Sequence, residues 1–229
     1  MKVLIIIPAY NEEGSIKQVI ENLKRYCPQY DYIVVNDGSK DNTEVICREC
    51  GYPTLDLPVN LGLAGAFQAG IRYAYRIGYD AVLQFDGDGQ HDPSYIKMMA
   101  DMMERGDFDI VIGSRYCEEK KPHSLRMVGS ELISTAIWIT TGKKISDPTS
   151  GMRMYNTRML HRFVAAINYG PEPDTIAYML RCGANIKELQ VEMHERMAGI
   201  SYLNFGRSVR YMLNMLISIL FVQFFRQKG

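Results

Sequence analysis

Hydrophobic positions along the chain fall into short unbroken runs separated by longer amphipathic stretches. VLIII (3–7), YIVVN (32–36), AVLQF (81–85) and IVIG (110–113) have strand length, whereas SIKQVIENLKRY (15–26) has the length and mixed polarity of a helix. Near-continuous apolar strands alternating with such segments predict an α/β fold, a mostly parallel central sheet with helices on both faces. Asp41 and Glu44 stand at capping-box spacing, and Asp92-Pro93 offers an N-cap followed by proline at the first helical position. Strand ends therefore run directly into polar loops and helix starts.

In open sheets of this kind ligands bind beyond the carboxyl ends of the strands. The loops after residues 7, 36 and 85, PAYNEEGS, DGSKDNT and DGDGQHDP, are thus expected to share one crevice. From about residue 114 the pattern loosens. No internal repeat, low-complexity tract or Pro/Gly/Ser linker marks a boundary, so the second half is expected to complete the site rather than form a separate module.

Composition narrows this little. The 229 residues carry 26 Lys+Arg against 26 Asp+Glu, so net charge argues for neither a nucleic-acid partner nor an acidic substrate, and any charge signal is local. Of the five cysteines, Cys47 and Cys50 form a C-x-x-C pair, but no second pair at zinc spacing accompanies them; reduced cytosolic thiols are the expectation. The opening MKVLIIIPAYNEE reads as a buried strand rather than a secretory leader, and no stretch reaches the ~20 apolar residues of a membrane-spanning helix.

The local signal is strongest at Asp86-Gly-Asp88. Two carboxylates leaving a strand on a flexible turn can share a hard divalent cation, Mg²⁺ or Mn²⁺, that also holds substrate phosphates. A calcium loop starting at Asp86 fails, because its sixth position is His91 instead of Gly and its twelfth is Lys97 instead of Glu. Asp37-Gly-Ser39, with Asp41 and Thr43, follows the second strand; its carboxylate can accept hydrogen bonds from a nucleobase or ribose, or the segment is a plain helix-start turn. NLGLAGAFQAG (60–70) lets a ligand approach the backbone closely but lacks both G-x-G-x-x-G and the P-loop lysine.

Arg115, Arg126, Arg153 and Arg196 lie in small polar surroundings and form, as a set, candidates for anion contacts. After Glu195 the chain has no acidic residue, while Arg207, Arg210, Arg226 and Lys228 flank YMLNMLISILFVQFF (211–225). Such a segment suits a bilayer interface with anionic headgroups, or a helix packed on its own domain or on a partner. A second apolar stretch, LISTAIWI (132–139), holds Trp138.

The blocks IPAYNEE, VVNDGSKDNT, NLGLAGAFQAGIRYA, FDGDGQHDP, GSRY, SDPTSGMRMY and HERMAGISY, in this order from Ile6 to about Ser201, resemble the inverting family 2 glycosyltransferases of the GT-A fold. The likeness is greatest to their polyprenyl-phosphate group, the dolichyl-phosphate mannose synthases and undecaprenyl-phosphate glycosyltransferases. It implies a GT-A domain over residues 1–206 and a C-terminal amphipathic helix over 207–229. By the same resemblance Pro8, Ala9, Tyr10 and Glu12 line a nucleotide pocket with Asp37 near the base, and Ser39, Gly65 and Asp86 are assigned to that pocket. Asp86, Asp88 and Gln90 match the metal shell. Arg115, Arg126 and Ser130 fall where the acceptor phosphate is held, Arg196 where donor phosphates or acceptor are touched, and Asp147 beside the reaction centre as base or organiser. D-G-D-G-Q replaces the usual D-A-D-L-Q, Glu172 and Asp174 replace a differently spaced acid, and the long membrane extension of many relatives is missing.

The expected reaction moves a sugar from a nucleotide diphosphate sugar, UDP-linked on family frequency, to a polyprenyl phosphate, with Mg²⁺ or Mn²⁺ on Asp86 and Asp88. The expected place is the inner, cytoplasmic face of the cell membrane, peripherally bound or docked on a small membrane protein, with no nucleic-acid partner. Two rivals differ in chemistry. Extension of a glycan at a sugar hydroxyl needs a carboxylate base such as Asp147 or Asp174; a nucleotide-sugar sensor or membrane scaffold would use the pocket without turnover.

Overall fold

A computed structural model of the chain describes residues 1–119, 121, 125–165, 170–194 and 205–225. Among the described residues seven strands form one sheet: β1 (Val3–Ala9), β2 (Asp31–Asn36), β3 (Thr54–Asp56), β4 (Ala81–Gln84), β5 (Ile110–Ser114), β6 (Arg153–Asn156) and β7 (Ile186–Gln190). Their order is β3-β2-β1-β4-β6-β5-β7. All pairings are parallel except those of β6, which runs antiparallel between β4 and β5.

The side-chain period of two in β1 explains why the sheet is covered on both faces. Leu4 and Ile6 enter one core with Phe67 and Ile71 of α3 (Gly62–Ile77), together with residues of α5 (Leu125–Thr141), α6 (Thr157–Ala165) and α7 (Pro173–Arg181). Val3, Ile5 and Ile7 enter the other core with α1 (Ile16–Tyr26), α4 (Ile96–Arg105) and Cys47 of α2 (Thr43–Glu49). Both faces being apolar, every other residue of the strand has a place to be buried, which stabilises each large side chain by about 1.5–3 kcal/mol.

β3, β6 and β7 are absent from the expectation. β6 opens on Arg153 and is short, so it shows no apolar run; its arginine is only 1% exposed. Arg153 is therefore no surface phosphate clamp. Nε and Nη2 donate to the carbonyls of Ser150 (2.8 Å) and Pro148 (2.6 Å), and Nη1 donates to that of Glu172, so its charge holds the loop before β6.

The cap at Asp92 forms as expected, its Oδ1 accepting from Ser94 N at 2.8 Å, and a single 3₁₀ turn leads from Pro93 into α4. The capping box at Asp41 does not form. The Asp41 carboxylate accepts from Thr43 N two residues on, at 3.0 Å, and Glu44 pairs with Arg48 at 3.6 Å instead of reaching back.

The apolar C-terminal segment is helical: α8 (Phe205–Leu220) starts slightly earlier than expected and ends in a 3₁₀ turn over Val222–Phe224. It packs on α5 and α7, with Ile219 in the core, while Leu213, Ile217 and Phe221 remain on the surface. Gly129 of α5 permits the close crossing, since a Cβ there would overlap Met212. No described helix is long and apolar enough to cross a membrane.

Candidate functional site

At the carboxyl end of β1 the chain turns at Asn11, whose φ of 57° is the positive value that asparagine tolerates through local side-chain bonding. Asn11 Oδ1 accepts from Lys40 N at 2.7 Å, and Ser39 Oγ accepts from Asn11 N at 3.1 Å. Glu12 N donates to Thr43 Oγ1 at 2.9 Å and Glu13 N to Asp41 Oδ2 at 3.0 Å. The loops after β1 and β2 are thus stitched into one wall. Gly38 makes the second turn possible: its φ is +65°, and a Cβ would stand 2.9 Å from the backbone nitrogen of Asn60.

These loops and α3 enclose a cavity of about 470 Å³. Pro8, Ala9, Tyr10 and Glu12 form one side, Asn60, Gly62, Leu63 and Ala66 another, and Asp37 lies between them. Burial pushes the Asp37 carboxyl above its ordinary value, an effect opposed by the backbone N–H groups of Leu61 and Gly62; Leu61 N donates to Oδ1 at 2.7 Å. Of the other residues assigned to the nucleotide pocket, Ser39 braces Asn11 through its hydroxyl. Gly65 is absent from the lining; neighbouring Gly62 and Ala66 supply the small surface.

The third side of the cavity is Asp86, Gly87 and Asp88. Gln84 Nε2 donates to Asp86 Oδ1 at 3.1 Å, and Gln90 N donates to Asp88 Oδ1 at 3.0 Å, so neighbouring amides orient both carboxylates, and Asp86 Oδ2 lies 3.6 Å from His91 Nε2. His91 is buried: its ring packs edge-on against Phe85, and Nδ1 accepts from Asp86 N at 3.1 Å. Ser15 Oγ donates to Gly87 O at 2.8 Å, tying the acid turn to the start of α1. Hard oxygen donors on a braced turn fit Mg²⁺ or Mn²⁺. Among the described residues no three His, Cys, Asp or Glu side chains converge, so the hard donors on the cavity wall are the two carboxylates Asp86 and Asp88.

Across the acid turn stands the loop before β6. Arg115, just past β5, donates from Nε to Asp147 Oδ2 (2.7 Å) and from Nη2 to Oδ1 (2.8 Å), and its backbone N also reaches Oδ2 (3.1 Å). Asp147 is 0% exposed. Burial alone would raise its pKa, but hydrogen bonds and charge from Arg115 hold it below the ordinary carboxylate value. Ser130 of α5 is buried under Lys121, whose Nζ donates to Ser130 Oγ at 3.3 Å and pairs with Glu131 at 2.9 Å. Lys121 escaped notice in the sequence because one lysine in EEKKP carries no pattern. Arg126 lies in α5 with its side chain outside the described residues, as is the whole of Arg196. Glu172 and Asp174, at the start of α7, accept from hydroxyls of α8: Tyr211 Oη on Glu172, and Ser218 Oγ on Asp174 at 2.7 Å.

The family model described as "Glycosyl transferase family 2" matches residues 4–163. The chain is 28% identical over 222 residues to the polyprenol monophosphomannose synthase of Mycolicibacterium smegmatis, covering 91% of this chain and 83% of that protein. It is 31% identical over 219 residues to the undecaprenyl-phosphate mannosyltransferase of Micrococcus luteus, covering 90% and 89%. Among solved structures, glucosyl-3-phosphoglycerate synthase from Mycobacterium tuberculosis, in complex with Mn²⁺, UDP and phosphoglyceric acid, superposes with a TM-score of 0.69 at 17% identity, over 96% of this chain and 78% of that one. That likeness bears out the GT-A fold.

Proposed function

The chain belongs to glycosyl transferase family 2, and we propose that it moves a sugar from a nucleoside diphosphate sugar to a polyprenyl phosphate with inversion at the anomeric carbon. The observation that carries this reading is the Asp86/Asp88 turn on the wall of the 470 Å³ cavity, with the Arg115–Asp147 pair held beyond it on the opposite loop. The acceptor class follows the printed activities of the two curated relatives. UDP, which the structural relative holds, is the first donor nucleotide to try.

In this mechanism Asp37 and the wall from Pro8 to Glu12 hold the nucleoside, and Asp86, Asp88 and Gln90 are the residues that would hold Mg²⁺ or Mn²⁺. When bound, such an ion would supply positive charge against the departing diphosphate. Arg196 is assigned to the same anionic oxygens. Arg115, Arg126 and Ser130 orient the acceptor phosphate, to which we add Lys121. A phosphate oxygen is ionised at neutral pH and attacks without a strong base. A sugar-hydroxyl acceptor would need one. Asp147, Glu172 and Asp174 are each engaged by hydrogen-bond donors, which favours the phosphate acceptor.

The polyprenyl chain lies in a bilayer, so the reading includes peripheral attachment at its cytoplasmic face. Leu213 and Ile217 of α8, Phe221 just after it, and Val128, Leu132 and Ile139 of α5 are exposed apolar groups on and beside two packed helices, suited to the interface or to a small membrane protein. The test is transfer from radiolabelled UDP- and GDP-sugars with Mn²⁺ to undecaprenyl phosphate in detergent micelles. A lipid-extractable product is expected. Transfer only to soluble glycans would overturn the acceptor assignment, and nucleotide-sugar binding without any transfer would favour a sensor.

A further inference from the structure

Glu188 and Gln190 lie two residues apart on the edge strand β7, alongside Ile112 and Ser114 of β5. Strand periodicity puts both side chains on one face, and both reach the ends of the Arg115–Asp147 pair. Glu188 Oε2 accepts from Ser146 N at 2.7 Å and Oε1 from Asp147 N at 2.8 Å. Gln190 Nε2 donates to Arg115 O at 2.9 Å, while its Oε1 accepts from Glu118 N at 3.0 Å. Each bond fixes a backbone point from which the ion pair is built.

We propose that Asp147 is a positioning residue that aims the Arg115 guanidinium, and that Glu188 and Gln190 form the cradle holding the pair in register. The Asp147 oxygens accept from Nε, Nη2 and the backbone N of Arg115 and from Thr149 Oγ1 at 3.1 Å, so the carboxylate is fully engaged as an acceptor. A side-on pair through Nε and Nη2 leaves Nη1 pointing away from the carboxylate, and among the described residues Nη1 meets no acceptor. Bidentate contact removes the rotational freedom a lone arginine would have, so Nη1 presents two N–H groups to an anion at a set angle. Asp147 thereby contributes orientation rather than proton transfer. The anion being the acceptor phosphate rests on the function proposed above.

The test pairs a structural and a kinetic measurement on the full chain. The ¹⁵N–¹H signal of Arg115 Nε, assigned by its loss in Arg115→Lys, is followed in Asp147→Asn, Glu188→Gln and Gln190→Glu, and each is titrated with farnesyl phosphate in the presence of UDP and Mn²⁺. Loss or exchange broadening of the signal is expected in Asp147→Asn, and a shift in the two β7 variants. The acceptor KM should rise about ten- to hundredfold in Asp147→Asn, the range for one lost charge-assisted hydrogen bond, and severalfold in the β7 variants, with donor KM unchanged. The half-exposed β7 positions keep the test informative if Asp147→Asn fails to fold. An unchanged Arg115 signal and acceptor KM in both β7 variants would overturn the cradle, and a fall in kcat alone in Asp147→Asn would overturn the positioning role. If the variants move the signal but farnesyl phosphate does not perturb it even in the wild type, the positioning holds and the acceptor reading falls.

Discussion

The backbone of Gly151 lies against the carboxylate of Asp86: a Cβ on residue 151 would stand 2.5 Å from Oδ2 and 3.3 Å from Cε1 of His91. Through this contact the loop that carries Asp147 abuts the turn that carries both site carboxylates. At that separation a methyl group on residue 151 requires the Asp86 carboxylate to shift.

Gly151→Ala is accordingly expected to displace Asp86 while leaving both cores untouched. UDP affinity measured calorimetrically with Mn²⁺ should fall at least tenfold, the order expected when a ligand's supporting residue moves. Affinity without the ion should change little, and a wild-type Mn²⁺-dependent affinity would show that the loop yields without cost.

Replacing either carboxylate directly is the harsher experiment. Asp88→Asn is expected to lower kcat by about 10²–10³, the scale for losing one charge-stabilising element at a reaction centre. Chelation of the wild-type enzyme should abolish transfer, with recovery on adding Mn²⁺ or Mg²⁺; full activity in the chelator would remove the ion from the mechanism.

Acid stability should report on a different pair, away from the site. Asp109 is buried, which alone would raise its pKa, yet Arg158, Asn185 N and Asn156 hold it below its ordinary 3.8. A carboxyl with a depressed folded-state pKa stabilises the fold at pH above that ordinary value, and the contribution disappears as pH falls through the lower folded one. The Asp109→Asn protein is therefore expected to be less stable at pH 7 but to lose less stability than wild type below pH 3.8, in denaturant titrations across that range. Parallel curves would count against the assignment.

The two sides of α8 should separate cleanly. Leu213→Asp with Ile217→Asp alters exposed positions and is expected to reduce flotation with anionic vesicles about tenfold or more while the thermal transition stays within a few degrees. Ile219→Asp puts a charge into the core and should cost several kcal/mol, enough to unfold a protein of ordinary stability. Undiminished flotation of the double variant would move the membrane contact elsewhere.

Much of this molecule is decided locally and could be read from its letters. The runs 3–7, 32–36, 81–85 and 110–113 correspond to β1, β2, β4 and β5 because strands covered on both faces need unbroken apolar sequence. The three polar loops after β1, β2 and β4 meet at one cavity because parallel strands present their carboxyl ends at the same edge. Asp92 caps a helix because Asp-Pro can do little else at that spacing. What only the tertiary structure decided depends on partners distant in sequence. β6 takes its antiparallel place with Arg153 buried because carbonyls of Pro148, Ser150 and Glu172 converge on that charge, and no single segment announces such a convergence. Asp147 and Arg115 are 32 residues apart, and the Glu188 that steadies them is 41 beyond Asp147. A carboxylate's chemistry depends on which donors surround it, and here the fold supplied those donors.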